Sequence, residues 1–395
     1  MANAPARSRA PRCWLHADDA RLEDLLEVLE AKTEHADLPH AARVEQQVPV
    51  YNAGVLQAVG ADPEGRREVQ AEIAYALSDG PGIVVVEGAF APSVVDRVTA
   101  AFTQMIEEQR AAGTAVGDHF AKPGANDRVW NALEKLAVAD PEAFVDYYAS
   151  DVLALVATAW LGPGYQVTSQ VNVVNPGGQG QTVHRDYHLG FQSPEVSARY
   201  PSHVHALSPY LTLQGAVAHC DMPVESGPTL YLPHSQKYEL GYLAYWLKEF
   251  QDYFADHHVQ LPLRKGDAVF FNPALFHAAG SNRTTDIKRV ANLLQVSSAF
   301  GRSMETVDRE RTVNAIYPVL LARKAAGWDE RALANVIAAS AEGYSFPTNL
   351  DRDPPIGGMA PRTQAELVAE ALAAGTPPDQ LAERLAAQAA TKLSH

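Results

Sequence analysis

The spacing of hydrophobic residues changes twice along this chain. Before about residue 160, apolar residues recur at three- and four-residue steps, as with Leu22, Leu25, Leu26 and Leu29, and this spacing predicts amphipathic helices. Between Tyr165 and about residue 300, short apolar runs are separated by Gly, Pro, Asn and Asp, which predicts many short strands. Past residue 302 the helical spacing returns. The pattern therefore predicts a β-rich core between two helical parts.

The same pattern places the individual elements. Strands are expected at 83–86, 166–175, 210–219, 229–232, 259–263, 268–271 and 290–297. Helices are expected at 18–30, 64–77, 94–111, two or three within 127–160, then 306–324, 329–341 and 363–390. Many short strands favour a barrel or sandwich, although an ordinary antiparallel sheet packed on helices fits the same pattern. We expect a disordered arm at 1–15, a helical part at 16–160, a strand-rich core at about 165–300 and a helical extension at 301–395.

Composition and charge narrow the class of protein. The 395 residues include 32 Lys and Arg against 47 Asp and Glu, a net charge of −15, which argues against nucleic acid or an anionic membrane as partner. Two cysteines, Cys13 and Cys220, cannot form a disulfide framework and fit a reducing, cytoplasmic location. No apolar run approaches the roughly 20 residues of a membrane helix, and residues 1–11 lack the apolar stretch of a secretory signal.

Candidate chemistry is concentrated around a His-x-Asp motif. On a strand, His184 and Asp186 point to one side while Arg185 points away. His277 lies 91 residues after the aspartate in a second strand-like run, and Arg289 follows 12 residues later. Two imidazoles and one carboxylate suit a single iron(II) and leave other coordination positions open. An isolated His-x-Asp is usually a surface or hydrogen-bonded pair, but together with His277 and Arg289 it predicts an oxygen-activating metal enzyme.

Three segments in order resemble one known family. They are Gln170-Val-Asn-Val-Val-Asn-Pro-Gly with His184-Arg-Asp-Tyr187, then Asp221-Met-Pro-Val-Glu-Ser-Gly-Pro-Thr-Leu-Tyr-Leu-Pro-His-Ser235, then Gly266-Asp267 with Phe271, His277, Gly280, Asn282 and Arg289. Over about residues 82–295 the chain resembles the phytanoyl-CoA dioxygenase family. The resemblance implies an α+β fold with a double-stranded β-helix (jelly-roll, cupin-like) core flanked by N- and C-terminal helices, and a family domain spanning 16–300. It also implies iron(II), 2-oxoglutarate and O2.

The resemblance assigns roles to particular residues. His184, Asp186 and His277 would bind the metal, and Arg289 would bind the distal carboxylate of 2-oxoglutarate. Gln170 and Asn172 lie on the strand before the motif, where they would hydrogen-bond 2-oxoglutarate or merely satisfy the sheet. Asp186 itself favours hydroxylation, because halogenating relatives replace this carboxylate with a small residue.

The chain also departs from the family pattern. The family usually places its arginine about one residue closer to the last histidine, where Lys288 stands here. We nevertheless expect Arg289 to bind the co-substrate, because its planar guanidinium can hold a carboxylate through two hydrogen bonds. A serine common two residues past the last histidine is Ala279, and the strand at 211–216 lacks the usual aromatic residue.

Substrate residues are expected near the motif and in the segment 117–131. There Lys122 or Arg128 would meet an anionic group and Trp130 an apolar one; a helix N-terminus capped by Asn126 fits the segment equally well. Two further residues follow the His-x-Asp motif directly. Tyr187 and His188 would line the pocket, with His188 a competing metal ligand as the alternative.

The function expected is oxidation, most simply hydroxylation, of an unactivated C–H bond in a small organic molecule, with release of succinate and CO2. A cupin-like metal hydrolase or isomerase is the alternative enzyme, but it would have no need of a buried Arg289. A non-catalytic jelly-roll binding module would be expected to have lost part of the His184–Asp186–His277 set. The acidic composition favours a secondary metabolite over an acyl-CoA. The last helix would dock on the domain or support a homodimer.

Overall fold

The computed structural model describes residues 13–113 and 125–395. The strands in these residues are β1 Arg43–Glu45, β2 Val48–Asn52, β3 Ile83–Glu87, β4 Asn126–Val129, β5 Gln166–Val174, β6 Thr212–Ala218, β7 Leu230–Leu232, β8 Ala268–Phe271, β9 Phe276–Ala278 and β10 Arg289–Ser297. The helices are α1 Leu22–Leu29, α2 Ala53–Val59, α3 Pro63–Ser78, α4 Pro92–Ala111, α5 Ala132–Ala139, α6 Pro141–Tyr148, α7 Asp151–Leu161, α8 Pro194–Ser197, α9 Ser202–Leu207, α10 Gly241–Ala244, α11 Lys248–His257, α12 Arg309–Ala325, α13 Glu330–Ser340, α14 Gln364–Ala374 and α15 Pro378–Thr391.

The strands form a large sheet and a small one. The large sheet has the order β1-β2-β3-β8-β6-β10-β5-β4, antiparallel except between β2 and β3. The small sheet pairs β7 with β9 and is widened by two single bridges, Tyr231 to Val259 and His184 to His277. Long strand pairs joined across the chain, with helices around them, confirm the predicted α+β jelly-roll core.

The outer face of the large sheet packs against helices. Alternate strand residues such as Leu213, Val217, Phe270 and Leu294 are buried there with apolar residues of α3–α7 and α12–α15. The C-terminal helices therefore share this core with the sheet, where burial of apolar surface is the main stabilising contribution. Gly215, opposite Phe270 in the register, leaves room for its ring, since a Cβ there would lie 2.8 Å from the ring edge.

The N-terminal part is less purely helical than expected. It contributes β1, β2 and β4 to the large sheet: β1 and β4 are short and polar, and the apolar β2 is only five residues long and contains Pro49. Asn126 begins β4, so the prediction that it caps a helix is wrong. Leu15, at the end of the predicted arm, is fully buried, while residues 1–12 lie outside the described part of the chain.

Two further expectations need correction. The segment 259–263 forms only isolated bridges, at Val259 and Leu263, rather than a continuous strand. The single helix expected over 363–390 is divided into α14 and α15, because Gly375 adopts a left-handed conformation (φ 66°) and Pro377 and Pro378 follow it.

Within the described ranges, no single helix is both long and apolar enough to cross a membrane. The bent pair α6 and α7, with 60° between its helices, meets the length and composition criteria only when the two are taken together.

Candidate active site

A cavity of about 670 Å³ lies on the inner side of the large sheet and is closed by the small one. Alternation along each strand decides which side chains reach it, because successive residues of a strand face opposite sides. Gln170 and Asn172 of β5, Gln214 of β6, and Arg289 and Gln295 of β10 all line this cavity. The inner face thus combines these polar groups with apolar side chains, whereas the outer face of the same strands is mainly apolar.

Three potential metal ligands meet in the cavity. The ligand atoms of His184, Asp186 and His277 lie within 4.8 Å of one another. The Asp186 Oδ2 atom is 3.5 Å from His277 Nε2 and 3.9 Å from His184 Nε2. His184 and His277 bridge the small sheet through backbone hydrogen bonds of 3.0 and 3.2 Å, so both rings are held side by side. The geometry brings together the three residues predicted from the sequence.

Backbone carbonyls orient the two imidazoles. His184 Nδ1 lies 2.9 Å from the Thr182 carbonyl oxygen, and His277 Nδ1 lies 2.9 Å from the Leu275 carbonyl oxygen. A carbonyl can only accept a hydrogen bond, so each Nδ1 donates to it and each Nε2, on the Asp186 side, is the atom available to a metal ion. This second hydrogen bond is the usual way in which proteins fix a metal-binding histidine. The donor set therefore fits a divalent metal ion such as iron(II).

Asp186 is held as a carboxylate. Burial alone would raise the pKa of its carboxyl group, but His184, His277 and a hydrogen bond from Gln214 together hold that pKa below its usual range. Gln214 Nε2 donates to Asp186 Oδ2 over 2.6 Å, and the Tyr242 hydroxyl donates to the Asp186 backbone carbonyl over 3.1 Å. The carboxylate is thus ionised and fixed in place, as a metal ligand must be.

Arg185, between the two ligands, points away from the cavity as predicted. Its guanidinium donates to the backbone carbonyls of Ser235 (2.6 Å) and Tyr238 (3.0 Å). The same group stacks over the rings of Tyr242 and Phe276, with centroid distances of 5.2 and 5.1 Å. Arg185 therefore anchors the motif from behind.

Arg289 is a buried cation in the cavity wall. It is 5% exposed, whereas the neighbouring Lys288 is exposed, which supports the choice of Arg289 over Lys288. Its Nη1 donates to the Gly280 carbonyl at 3.3 Å, and among the described residues it forms no ion pair with a carboxylate. Burial lowers the pKa of Arg289 to about 10, so the side chain stays positively charged at neutral pH. A buried cation of this kind is a natural site for an anionic ligand.

Several other polar atoms face the cavity without a partner. Asn172 Oδ1, Gln214 Oε1, Gln295 Oε1 and Tyr231 Oη are buried and make no hydrogen bond within residues 13–113 and 125–395. Each such atom destabilises the folded protein unless a ligand or a water molecule forms the missing hydrogen bond. Their position around the His184–Asp186–His277 set indicates a polar ligand beside the metal.

Of the substrate residues expected from the sequence, three line the cavity, one does not, and one lies outside the described part of the chain. Arg128, Trp130 and Tyr187 line the cavity, with the Arg128 guanidinium 5.0 Å from the centre of the Trp130 ring and Nη1 donating to Gln170 Oε1 over 3.0 Å. His188 does not line it: the residue has a left-handed backbone (φ 48°), and Nδ1 lies 3.3 Å from the Ser208 hydroxyl. Lys122 lies outside the described residues.

Sequence reasoning missed several residues of the cavity. Gln214, Tyr231 and Gln295 sit at alternate positions of otherwise apolar strands, a signal that is visible once the strand is known to have one polar face. Phe191 and Trp246 line the cavity and are 54% and 48% exposed. They lie in turns and short helices, where no periodic pattern marks a residue as part of a pocket.

Comparison with known proteins places these features in a family. Residues 78–290, more than half of the chain, match the sequence model of the phytanoyl-CoA dioxygenase (PhyH) family. Dioxygenase trt7 from Aspergillus terreus (strain NIH 2624 / FGSC A1156) is 24% identical over 258 residues, which are 62% of this chain and 80% of that protein.

Two solved structures are also similar to this chain, at lower sequence identity. A non-heme α-ketoglutarate-dependent epimerase, SnoN from nogalamycin biosynthesis, is 20% identical, with 60% of this chain and 84% of that chain covered and a TM-score of 0.38. EctD from S. alaskensis with bound Fe is 19% identical, with 60% and 79% covered and a TM-score of 0.43. The family assignment rests on the match over 78–290.

Proposed function

Because this chain belongs to the phytanoyl-CoA dioxygenase family, we propose that it hydroxylates, or otherwise oxidises, an unactivated C–H bond of a small organic molecule while 2-oxoglutarate is converted to succinate and CO2. The family membership makes the protein an oxidoreductase, an oxygenase that uses iron(II) and 2-oxoglutarate. The observation that carries the finer proposal is one cavity holding His184, Asp186 and His277 together with the buried cation Arg289.

Each group has a definite task in this proposal. His184 and His277, through Nε2, and Asp186, through its carboxylate, would hold iron(II). Arg289 would bind the distal carboxylate of 2-oxoglutarate, and the unpaired amide oxygens of Asn172 and Gln295 would accept hydrogen bonds from bound ligands or water. Gln170, whose amide is already bonded to Arg128 and Met304, would act by positioning its neighbours.

The chemistry divides between cofactor and protein. When bound, iron(II) and 2-oxoglutarate supply with O2 the oxidising power that breaks a C–H bond. The protein holds Asp186 ionised, fixes both imidazoles through the Thr182 and Leu275 carbonyls, and places the substrate beside the metal. The apolar walls of the cavity keep water away from the reacting bond.

The substrate would contact the aromatic residues of the cavity wall. Trp130, Tyr187, Phe191 and Trp246 all line the cavity, and aromatic side chains of this kind suit an apolar or ring-bearing body. Arg128 would contact a polar or anionic group of the substrate. Lys122 and a cytoplasmic homodimer remain predictions, and His188 is no longer proposed to line the pocket.

An anaerobic titration tests the proposal. Metal-free protein is titrated with iron(II) and 2-oxoglutarate, and the visible charge-transfer absorption of the iron–2-oxoglutarate chelate is recorded. We expect the band in the wild type and in Lys288→Ala, whose side chain is exposed beside Arg289, but not in His184→Ala or Arg289→Ala. Succinate release can then be used to screen ring-bearing metabolites against acyl-CoA compounds. Iron binding without the band would favour the hydrolase or isomerase alternative.

A further inference from the structure

Tyr231 occupies a distinctive place beside the metal ligands. It pairs with His277 across the small sheet, so the two side chains are neighbours on the cavity face. Its backbone is fixed on the other edge by two hydrogen bonds with Val259, of 2.9 and 2.7 Å. The position of the phenol is therefore set by the same two strands that set the metal ligand.

The Tyr231 hydroxyl has no hydrogen-bond partner among the described residues although the residue is only 4% exposed. The Thr229 side chain lies near enough to influence its ionisation but does not meet hydrogen-bond geometry. Leaving a buried hydroxyl unpaired is costly, of the order of 1–3 kcal/mol. An unpaired hydroxyl in a cavity wall is thus evidence for a ligand atom that it contacts.

The surroundings of the hydroxyl indicate which ligand atom. Tyr231 and Arg289 line the same cavity, and the Gly280 carbonyl that accepts from Arg289 belongs to a residue lying against the Pro228 carbonyl, three residues before Tyr231. The Tyr231 ring packs edge-on against Phe271, with ring centroids 5.2 Å apart, and this packing holds it in the cavity wall. A tyrosine hydroxyl is protonated at neutral pH, so it is available as a donor.

A second observation concerns a residue that the family pattern leads one to expect. The position two residues after His277 is Ala279, which lines the same cavity but has no hydroxyl. The chain therefore lacks one donor on the co-substrate side and has an unused donor at Tyr231.

We propose that the Tyr231 hydroxyl donates a hydrogen bond to the distal carboxylate of 2-oxoglutarate beside Arg289, in place of the serine hydroxyl absent at position 279. This inference rests on the proposed function, because it requires 2-oxoglutarate at Arg289. A carboxylate accepts several hydrogen bonds at once, so one oxygen or both can be shared between a guanidinium and a phenol. Tyr231 is thus a binding residue of the co-substrate.

The test is the affinity of the iron-loaded protein for two 2-oxo acids. Anaerobic titrations followed by the charge-transfer band give the Kd of 2-oxoglutarate for the wild type and for Tyr231→Phe, which removes only the hydroxyl. We expect the Kd to rise about 10- to 100-fold, the range for losing a hydrogen bond to a charged group. The Kd of 2-oxobutyrate, which lacks the distal carboxylate, should be the same in both proteins.

Two further variants sharpen this test. Tyr245→Phe is the matched control, since Tyr245 also lines the cavity but its hydroxyl already donates to the Gly190 carbonyl over 3.0 Å; its Kd for 2-oxoglutarate should stay at the wild-type value. Adding Ala279→Ser to Tyr231→Phe should restore much of the lost affinity, because it supplies the other hydroxyl.

The outcomes separate this inference from the function it rests on. An unchanged 2-oxoglutarate Kd in Tyr231→Phe overturns the inference while leaving the proposed function intact. Equal weakening of both 2-oxo acids also overturns it, since that result describes a general structural role. Absence of the band in the wild-type protein overturns the proposed function itself.

Discussion

Both faces of the large sheet carry buried polar side chains, but those on one face are hydrogen-bonded to one another and those on the other face include unpaired groups. On the helix-packed face, the Tyr147 hydroxyl lies 3.0 Å from His219 Nε2 and 3.2 Å from Asn292 Nδ2, and His219 Nδ1 lies 2.9 Å from the Thr99 hydroxyl. On the cavity face, the side-chain oxygen of Gln295 has no partner in the described chain. Asn292 and Gln295 belong to the same strand, β10, three residues apart.

This difference distinguishes polar groups that stabilise the core from polar groups that are available to bind a ligand. Polar groups that bond to one another inside a core stabilise one arrangement of that core. Polar groups that face a cavity unpaired make the free protein less stable, but they bind a ligand without first having to break bonds within the protein. Buried polar residues therefore indicate function only after their partners have been examined.

The largest expected effect is loss of the metal site. His277→Ala should weaken iron(II) binding by more than about 100-fold, because even partners outside the ligand set contribute 10- to 100-fold. Iron affinity and the charge-transfer band measure this change. His188→Ala is the control, since His188 lies outside the cavity and its removal should leave iron binding unchanged. Weakened binding in His188→Ala would instead restore the competing-ligand alternative.

Neighbouring phenylalanines give the next test. Phe270 is fully buried on the helix-packed face, so Phe270→Ala should lower the free energy of unfolding by about 3–5 kcal/mol. Phe271 faces the cavity, with its ring centroid 4.8 Å from that of His277. Phe271→Ala should cost less stability, because its side chain already borders open space, but should weaken iron binding. Denaturant unfolding of the metal-free variants and iron titration measure the two effects. Equal losses of stability and of iron affinity in both variants would mean that the two faces have the same role.

Much of this organisation could be predicted from sequence. Strand alternation located β5, β6, β8 and β10, and the His-x-Asp spacing placed His184 and Asp186 on one side, because both signals depend on local geometry. Joining the distant His277 to them depended on the family pattern. The family pattern added Arg289. What local geometry does not encode is which face of a strand borders the cavity, and so Gln214, Tyr231 and Gln295 were missed.

Other features escaped prediction for related physical reasons. The strand β4 has only four residues, and its stability comes from pairing with β5 rather than from its own sequence pattern. Phe191 and Trp246 reach the cavity through the packing of short helices, which is a tertiary effect. The left-handed backbone of His188 turned a residue two positions from a metal ligand away from the site.

Removing one polar group should change the free energy of unfolding by a smaller amount, with opposite signs on the two faces of the large sheet. Gln295→Leu should leave the free energy of unfolding of the metal-free protein unchanged or raise it by up to about 1 kcal/mol, because an unpaired oxygen is removed. Tyr147→Phe should lower it by about 1–3 kcal/mol, because His219 and Asn292 lose a partner. Destabilisation by Gln295→Leu would mean that its amide is structural.

The most gradual effect expected is a pH dependence of the free energy of unfolding that arises on the helix-packed face. Burial lowers the pKa of His219 to about 3, against an ordinary value of about 6.5 in the unfolded chain. Between these values the unfolded chain takes up a proton that the folded protein does not. The stability due to neutral His219 is therefore present above pH 6.5 and declines as the pH falls toward 3, by up to about 1.4 kcal/mol per unit.

His219→Gln isolates this contribution, because an amide can still bond to Tyr147 and Thr99 but does not titrate in this range. Unfolding free energies of both proteins, measured from pH 7.5 to 5, should converge as the pH falls, since only the wild type loses the His219 contribution. Other histidines with lowered pKa values, among them His234, titrate in both proteins and cancel in the difference. A difference independent of pH would mean that folding does not shift the pKa of His219. A difference that widens as the pH falls would mean that the helix-packed face holds a protonated His219 rather than a neutral network.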